Sequence, residues 1–354
     1  GQLINGGGTL GLSGAYNVRY MGSSYMTGAE IGTGLDSLWV NVPIADTVWM
    51  SSDISTASYM KLNSGVLALN NHNLTVNGIY LTTVNGSILS NALSGITLNS
   101  TAGITGALNF SMGGDTINNL TVNIGAGTNL SLGTNLYVAG MLTLTQGNLK
   151  ITSHTLTIGT AGNISGAGFL STTNLSTLNV LATAGVANPV NFVGSSLGTL
   201  NLNMGATSTF ALGNDLTVSM SLNLQNGLLV LGGHNIHITG DIAAGGSGKL
   251  VSTNASNVYL VGTMSPSGSL TFDNSGNSVS SIIINEGAGN SVSLASTLNV
   301  EGIMNLVGGS ICNIQGDTLN VATTGRIIGS GALGINSASA LNMLTNSGGT
   351  IGPL

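Results

Sequence analysis

The chain has 354 residues, of which 5% are charged, 42% hydrophobic and 55 glycine, with a formal net charge of −6. An ordinary globular domain carries about 25% charged residues, so the salt-bridged helical surface of a typical cytosolic protein is excluded, while the hydrophobic share is too high for a disordered chain. Five scattered basic residues, Arg19, Lys61, Lys150, Lys249 and Arg326, give no footprint for nucleic acid or anionic lipid, and no run of about 18 apolar residues is present to span a bilayer.

Gly1-Gln2-Leu3-Ile4 lacks the methionine, basic segment and apolar segment of a signal peptide, and reads as a processed or truncated start whose export signal has gone. The stretch after it is rich in aromatics: both tryptophans, Trp39 and Trp49, and five of the seven tyrosines, Tyr16, Tyr20, Tyr25, Tyr59 and Tyr80. Trp39 lies between Leu38 and Val40, and Trp49 between Val48 and Met50. Strand alternation then points the flanking residues inward and both indoles outward. Exposed aromatics on a plain polar face mark a contact surface, either a protein interface or a platform for sugars. A loop folded back over the indoles is the plainer account.

From residue 72 onward a short phrase recurs. It reads His72-Asn73-Leu74-Thr75-Val76, His154-Thr155-Leu156-Thr157-Ile158, His234-Asn235-Ile236-His237-Ile238 and Asp317-Thr318-Leu319-Asn320-Val321, at spacings of 82, 80 and 83 residues. A fixed period of this kind is the signature of a repeat architecture. The long repeats run approximately over 1–82, 83–164, 165–244 and 245–327, with a partial copy over 328–354, and nothing marks a second domain.

Aligning the copies gives apolar columns: Ile54/Leu136/Leu216/Leu298, Met60/Leu142/Leu222/Met304, Leu67/Leu149/Leu229/Cys312 and Leu74/Leu156/Ile236/Leu319. Thr, Ala, Asn, Lys or Val fill the positions between, so each strand is a short inside-outside-inside unit with the period of a strand. Three short strands fit between Leu136 and Leu156, a step of 20 residues. Strands this short need stacking rather than hairpins. The predicted fold is all-β, a parallel β-helix of about 20 residues per coil, four coils to a repeat and roughly seventeen in all, with each strand paired to its equivalent above and below.

His72, His154 and His234 are the obvious metal candidates. Equivalent positions four coils apart, at about 4.8 Å per coil, cannot share one ion, since zinc ligands lie about 2.1 Å from it. A corner residue bonding to turn backbone is the better account, and no metal or other cofactor is expected. His237 points outward without a nameable partner. Cys312 stands in a leucine column and reads as a small core residue. Asp53 aligns with Asn135, Asp215 and Thr297, a set of turn formers. Asp36, Asp46, Asp115, Asp241 and Asp273 also sit among Gly, Ser and Asn, and no two acids pair on one outward column as a glycosidase or lyase requires. No catalytic site is expected. Thr143/Thr145 and Thr155/Thr157 are outward pairs of the kind found in ice-binding solenoids. The repeat-aligned columns mix Thr with Asn, Ser, Lys and Val, which argues against a regular array.

At the far end, Gly331-Ala332-Leu333-Gly334-Ile335 restarts the phrase Gly8-Thr9-Leu10-Gly11-Leu12, and Leu341 and Met343 continue it against Val18 and Tyr20. Neither end shows a charged cap, and uncapped solenoids stack on one another. A head-to-tail contact that does not close gives an open filament. The candidate interface is therefore Tyr16, Tyr20, Tyr25, Trp39 and Trp49 at one end and Leu333, Leu341 and Met343 at the other.

The phrases Gly147-Asn148-Leu149-Lys150-Ile151 and Gly233-His234-Asn235-Ile236-His237-Ile238 resemble those of the β-strand-repeat surface proteins of Bacteroidota-type bacteria, and the likeness runs over nearly the whole chain. The resemblance implies an exported, cell-surface protein acting as an adhesin or surface filament. It also makes Asp36-Ser37-Leu38, Asp46-Thr47-Val48, Asp115-Thr116-Ile117 and Asp317-Thr318-Leu319 look like O-glycosylation acceptors of that group. The expected function is that of an extracellular structural protein, a fibre subunit or adhesin stalk whose partner is its own copies. The alternative is a carbohydrate-binding or carbohydrate-cleaving β-helix with surface glycans as partner.

Overall fold

The computed structural model describes residues 14–101, 103–194 and 196–344. Regular structure among them is all strand. The strands run parallel and stack as a β-solenoid of about 15 turns, with equivalent positions about 22 residues apart. The chain divides into two compact units, Gly1–Ser171 and Thr172–Leu354.

In the first unit three inward ladders form the three faces of the coil. One is Ile54, Leu74, Ile96, Leu120, Leu142 and Ile164. The second is Val18, Leu38, Met60, Tyr80 and Ile104, and the third includes Val48, Leu67 and Ile88. A single turn, from Ile54 through Met60 and Leu67 to Leu74, visits each face once, and all four side chains are at most 1% exposed. Burying a side chain of this kind is worth about 1.5–3 kcal/mol, so each turn is held by its own short apolar set.

The turn is longer than the predicted 20 residues, and the repeat does not contain four of them. Eighty-two residues at about 22 per turn make about three and two-thirds turns. Strands pair in parallel with those of adjacent turns as expected, Leu136 with Leu156 among them, but each copy begins one face further round, so equivalent positions of successive long repeats stand on different faces. Leu142, which aligns with Met60, stands on the ladder of Ile54 and Leu74, while Leu156, which aligns with Leu74, pairs with Leu136 in a different sheet. The second unit repeats the displacement. Met304, the equivalent of Leu222, stands on the ladder Leu216, Ile236, Val258, Ile282, Met304 and Ile327, whereas Leu319 pairs with Leu298 and Leu341.

The shifted period rewrites the outward columns as well. The mixed columns read from the repeat are not the columns of the structure. On the sheet containing Ile54 and Leu74, one outward column is Ser55, Thr75, Thr97, Thr121, Thr143 and Ser165, a hydroxyl on every turn.

Corners are built from two devices. The turn before the marker strand needs left-handed backbone, supplied by Asn70 (φ 51°) and Asn71 (φ 68°) in one copy and by Gly232 (φ 61°) and Gly233 (φ 90°) in another, the residue types that tolerate it best. Beyond the strands, asparagines stack turn on turn. Asn99 Nδ2 donates to Asn77 Oδ1 at 3.1 Å and Asn123 Nδ2 to Asn99 Oδ1 at 3.3 Å. In the second unit Asn277, Asn299, Asn320 and Asn342, an outward column within the strands, form a like chain at 2.7–2.8 Å. Each inner carboxamide both donates and accepts, so these polar groups are satisfied without charge.

Candidate functional site

The aromatic-rich segment splits by alternation. Leu38 and Val40 are fully buried, and Trp39 points outward between Arg19 and Lys61 of the neighbouring strands. The Arg19 Cζ lies 3.7 Å and the Lys61 Nζ 4.8 Å from the Trp39 ring centroid. Both faces of the indole are thus covered by cations, an arrangement worth about 0.5–1 kcal/mol per contact at exposed sites. Trp49 also points outward, is 37% exposed, and pairs in register with Met26, which is 64% exposed. Tyr20 points inward, is buried, and donates its hydroxyl to Glu30. Burial, with the Glu30 carboxylate beside it, pushes that phenol well above its ordinary range. The Tyr25 ring centroid is 5.9 Å from that of Tyr20, and its hydroxyl donates to the Met21 carbonyl at 2.7 Å. Tyr16 is half-buried, in register with Leu35. Tyr80 is a core residue of the second ladder. The surface component of the cluster is therefore Trp39, Trp49 and Tyr25, with Tyr20 and Tyr80 beneath it.

The histidine markers sit at corners on different sheets. His72 leads into Asn73–Val76 and His154 into Thr155–Ile158, strands that belong to separate sheets. His72 N donates to the Leu69 carbonyl at 2.8 Å and His234 N to the Leu231 carbonyl at 2.9 Å, closing the turn. Their Nδ1 atoms face aspartates of the preceding turn, Asp53 at 3.4 Å and Asp215 at 3.8 Å. Asp53 Oδ1 accepts the Asn73 amide at 2.9 Å, and Asp215 Oδ1 the Asn235 amide at 2.8 Å. Asn135 Oδ1 does the same for Thr155 at 2.8 Å, which explains why Asp and Asn interchange in this column. The Asn73 amide and side chain hold the Asp53 carboxyl below the usual carboxylate range. At Asp215 burial pushes upward, but the bonds from Asn235 outweigh it and the net shift is downward. Among the described residues no group of three or more His, Cys, Asp or Glu side chains is placed to hold a metal ion.

Cys312 is fully buried on the ladder with Val292 and Leu333, and burial pushes its thiol up to about 12. His237 does have a partner: its ring stacks on Tyr259 one turn away, centroids 4.1 Å apart and planes 2° from parallel. The contact is invisible in the repeat alignment because the two residues meet through the 22-residue turn. One buried group went unnoticed in the sequence. Glu286 is 1% exposed, its two carboxyl oxygens have no hydrogen-bond partner, and its amide donates to Ser310 Oγ at 2.8 Å. Burial raises its pKa, and the Gly262 amide, near the carboxyl but not placed to make a full hydrogen bond, opposes this only in part. A Cβ placed on Gly262 would stand 2.2 Å from Glu286 Oε2. In the repeat alignment Glu286 falls in the column of Val42, Ile124 and Met204, all at most 3% exposed, and that mismatch was the available signal.

Leu333, Leu341 and Met343 come together in the last described turn of the second unit, in register with Cys312, Leu319 and Val321. Leu341 is 37% exposed, whereas Leu319 beneath it is fully buried. The phrase that Gly331–Ile335 restarts, Gly8 to Leu12, lies outside the described residues. The second unit also has a cavity of about 310 Å³ lined by Leu224, Ile242, Gly246, Ser267, Leu270 and Thr271, without a charged side chain in its lining. Compared with protein-family models, curated proteins and solved structures, the chain matches none.

Proposed function

We propose that this chain is an extracellular structural protein, the subunit of a head-to-tail surface filament or an adhesin stalk, with copies of itself as its main partner. The observation that carries the reading is the group of exposed apolar side chains on the first unit, Met21, Met26, Ile44 and Trp49, which offers a contact surface to another copy. The surface location rests on the low charge and on the resemblance to bacterial strand-repeat proteins. Sedimentation velocity across a concentration series, with electron microscopy of the same samples, tests the reading. Assembly that grows with concentration and is blocked by Leu341→Asp with Met343→Lys is expected. A monomer at every concentration refutes it.

The carbohydrate-binding alternative draws support from Trp49, whose indole is exposed. Trp39 is a poor platform for a sugar, because Arg19 and Lys61 occupy its two faces.

A further inference from the structure

The hydroxyl column of the first unit is a property of one face and not of the repeat. Thr75 corresponds in the other copies to Thr157, His237 and Asn320, and Thr121 to Trp39, Asn201 and Ile283. Along the spatial column, by contrast, all six residues from Ser55 to Ser165 are Ser or Thr.

The face is uniform in other respects. Its six strands, Ile54–Thr56, Asn73–Val76, Gly95–Leu98, Asn119–Asn123, Met141–Gln146 and Asn163–Ser165, contain neither a charged nor an aromatic residue. Thr75, Thr97, Thr121 and Thr143 are half-buried, so their stems are packed and their tips reach solvent. The hydroxyls of Thr75, Thr97 and Thr121 bond to no protein group. The Asn77, Asn99 and Asn123 row borders the column on one side and is tied to itself by hydrogen bonds. Each threonine presents one hydroxyl and one methyl, repeated about every 4.8 Å by the sheet itself.

We propose that this sheet is an ice-binding face. A rank of hydroxyls and methyls at a fixed spacing, with the central hydroxyls of Thr75, Thr97 and Thr121 unpaired while Ser55 accepts from Asn77 and Ser165 donates to Thr143, suits a flat, uncharged ligand with a matching translational repeat. The water lattice of ice has a repeat close to the strand spacing, and it needs no charge to hold it. A crystalline polysaccharide is disfavoured because gripping pyranose rings calls for aromatic platforms, and this sheet has none. The inference is independent of the filament reading.

The test is thermal hysteresis and inhibition of ice recrystallisation by the purified protein, with incorporation of the fluorescently labelled protein into a growing ice crystal. The wild type is expected to shape and slow ice growth. Thr97→Tyr and Thr121→Tyr, which raise bulk above the plane, abolish the effect. Ile283→Tyr, on the outward column Tyr259, Ile283 and Asn305 of the second unit, leaves it intact. Circular dichroism checks that the variants fold, and Thr97→Lys with Thr121→Lys repeats the experiment if the tyrosines unfold the sheet. A wild type without effect on ice overturns the proposal, as do face variants as active as the wild type. Sedimentation with crystalline chitin or cellulose that depends on Thr97 and Thr121, in a protein without effect on ice, also overturns it and gives the face to a glycan.

Discussion

Replacing Glu286 by methionine, the residue at the equivalent corner Met204, removes a buried carboxyl from a site that other copies fill with Val42, Ile124 and Met204. Both Glu286 oxygens lack partners at 1% exposure, and an unsatisfied buried polar group costs about 1–3 kcal/mol. In a cooperative unit of 150–250 residues, 1 kcal/mol moves Tm by about 2–4 °C, so Glu286→Met should raise the melting temperature of the second unit by roughly 2–12 °C at neutral pH. The sign with pH follows from the raised pKa of Glu286. The folded state holds the proton more tightly than the unfolded chain, so stability is full below the ordinary carboxylate range and falls as pH rises through the folded pKa. The advantage of the methionine variant therefore shrinks in acid. Differential scanning calorimetry of both proteins at neutral and acidic pH measures it. Equal melting at neutral pH, or an advantage that grows toward acid, would refute the account of Glu286 as an unpaired buried acid.

Asn99→Ala breaks the Asn77–Asn99–Asn123 chain on both sides and should destabilise the first unit by about 1–3 kcal/mol, at about 0.5–1.5 per hydrogen bond, as read by chemical denaturation. Arg19→Ala and Lys61→Ala each uncover one face of Trp39 and should cost about 0.5–1 kcal/mol, with a red shift in tryptophan emission. Unchanged emission in both would mean that the cations do not cover the ring in solution. Asp53 and Asp215 should titrate below ordinary aspartates by carboxyl NMR. Their contribution to stability is present above the ordinary aspartate pKa and is lost as pH falls through the lowered values. It is small, because Asp53 is 64% and Asp215 55% exposed at the side chain.

The fold class was legible because alternation is local: Leu38-Trp39-Val40 states its inward and outward residues without help from distant sequence. Register was not, because the conspicuous period of the chain is that of the repeat, and the turn of about 22 residues leaves only a faint trace. The misreading had specific costs. His237 lost its neighbour Tyr259, and the Ser and Thr residues from Ser55 to Ser165 were dispersed among six columns instead of joined in one. The outward direction of Trp39 could be read, but its environment depends on Arg19 and Lys61, one turn away on each side. Glu286 was visible in principle, as the one acid in the otherwise apolar column of Val42, Ile124 and Met204.

The mismatch between repeat and turn bears on how such a gene can change length. Repetitive DNA gains and loses whole copies, and in most solenoids a lost copy shortens the protein and leaves its surfaces in line. Here one copy spans about three and two-thirds turns, so its loss turns every downstream surface onto the next face. Three copies restore the phase. A lineage that depends on a row of side chains along one face, such as Ser55 to Ser165, can alter its copy number only in threes or must rebuild the row by point mutation.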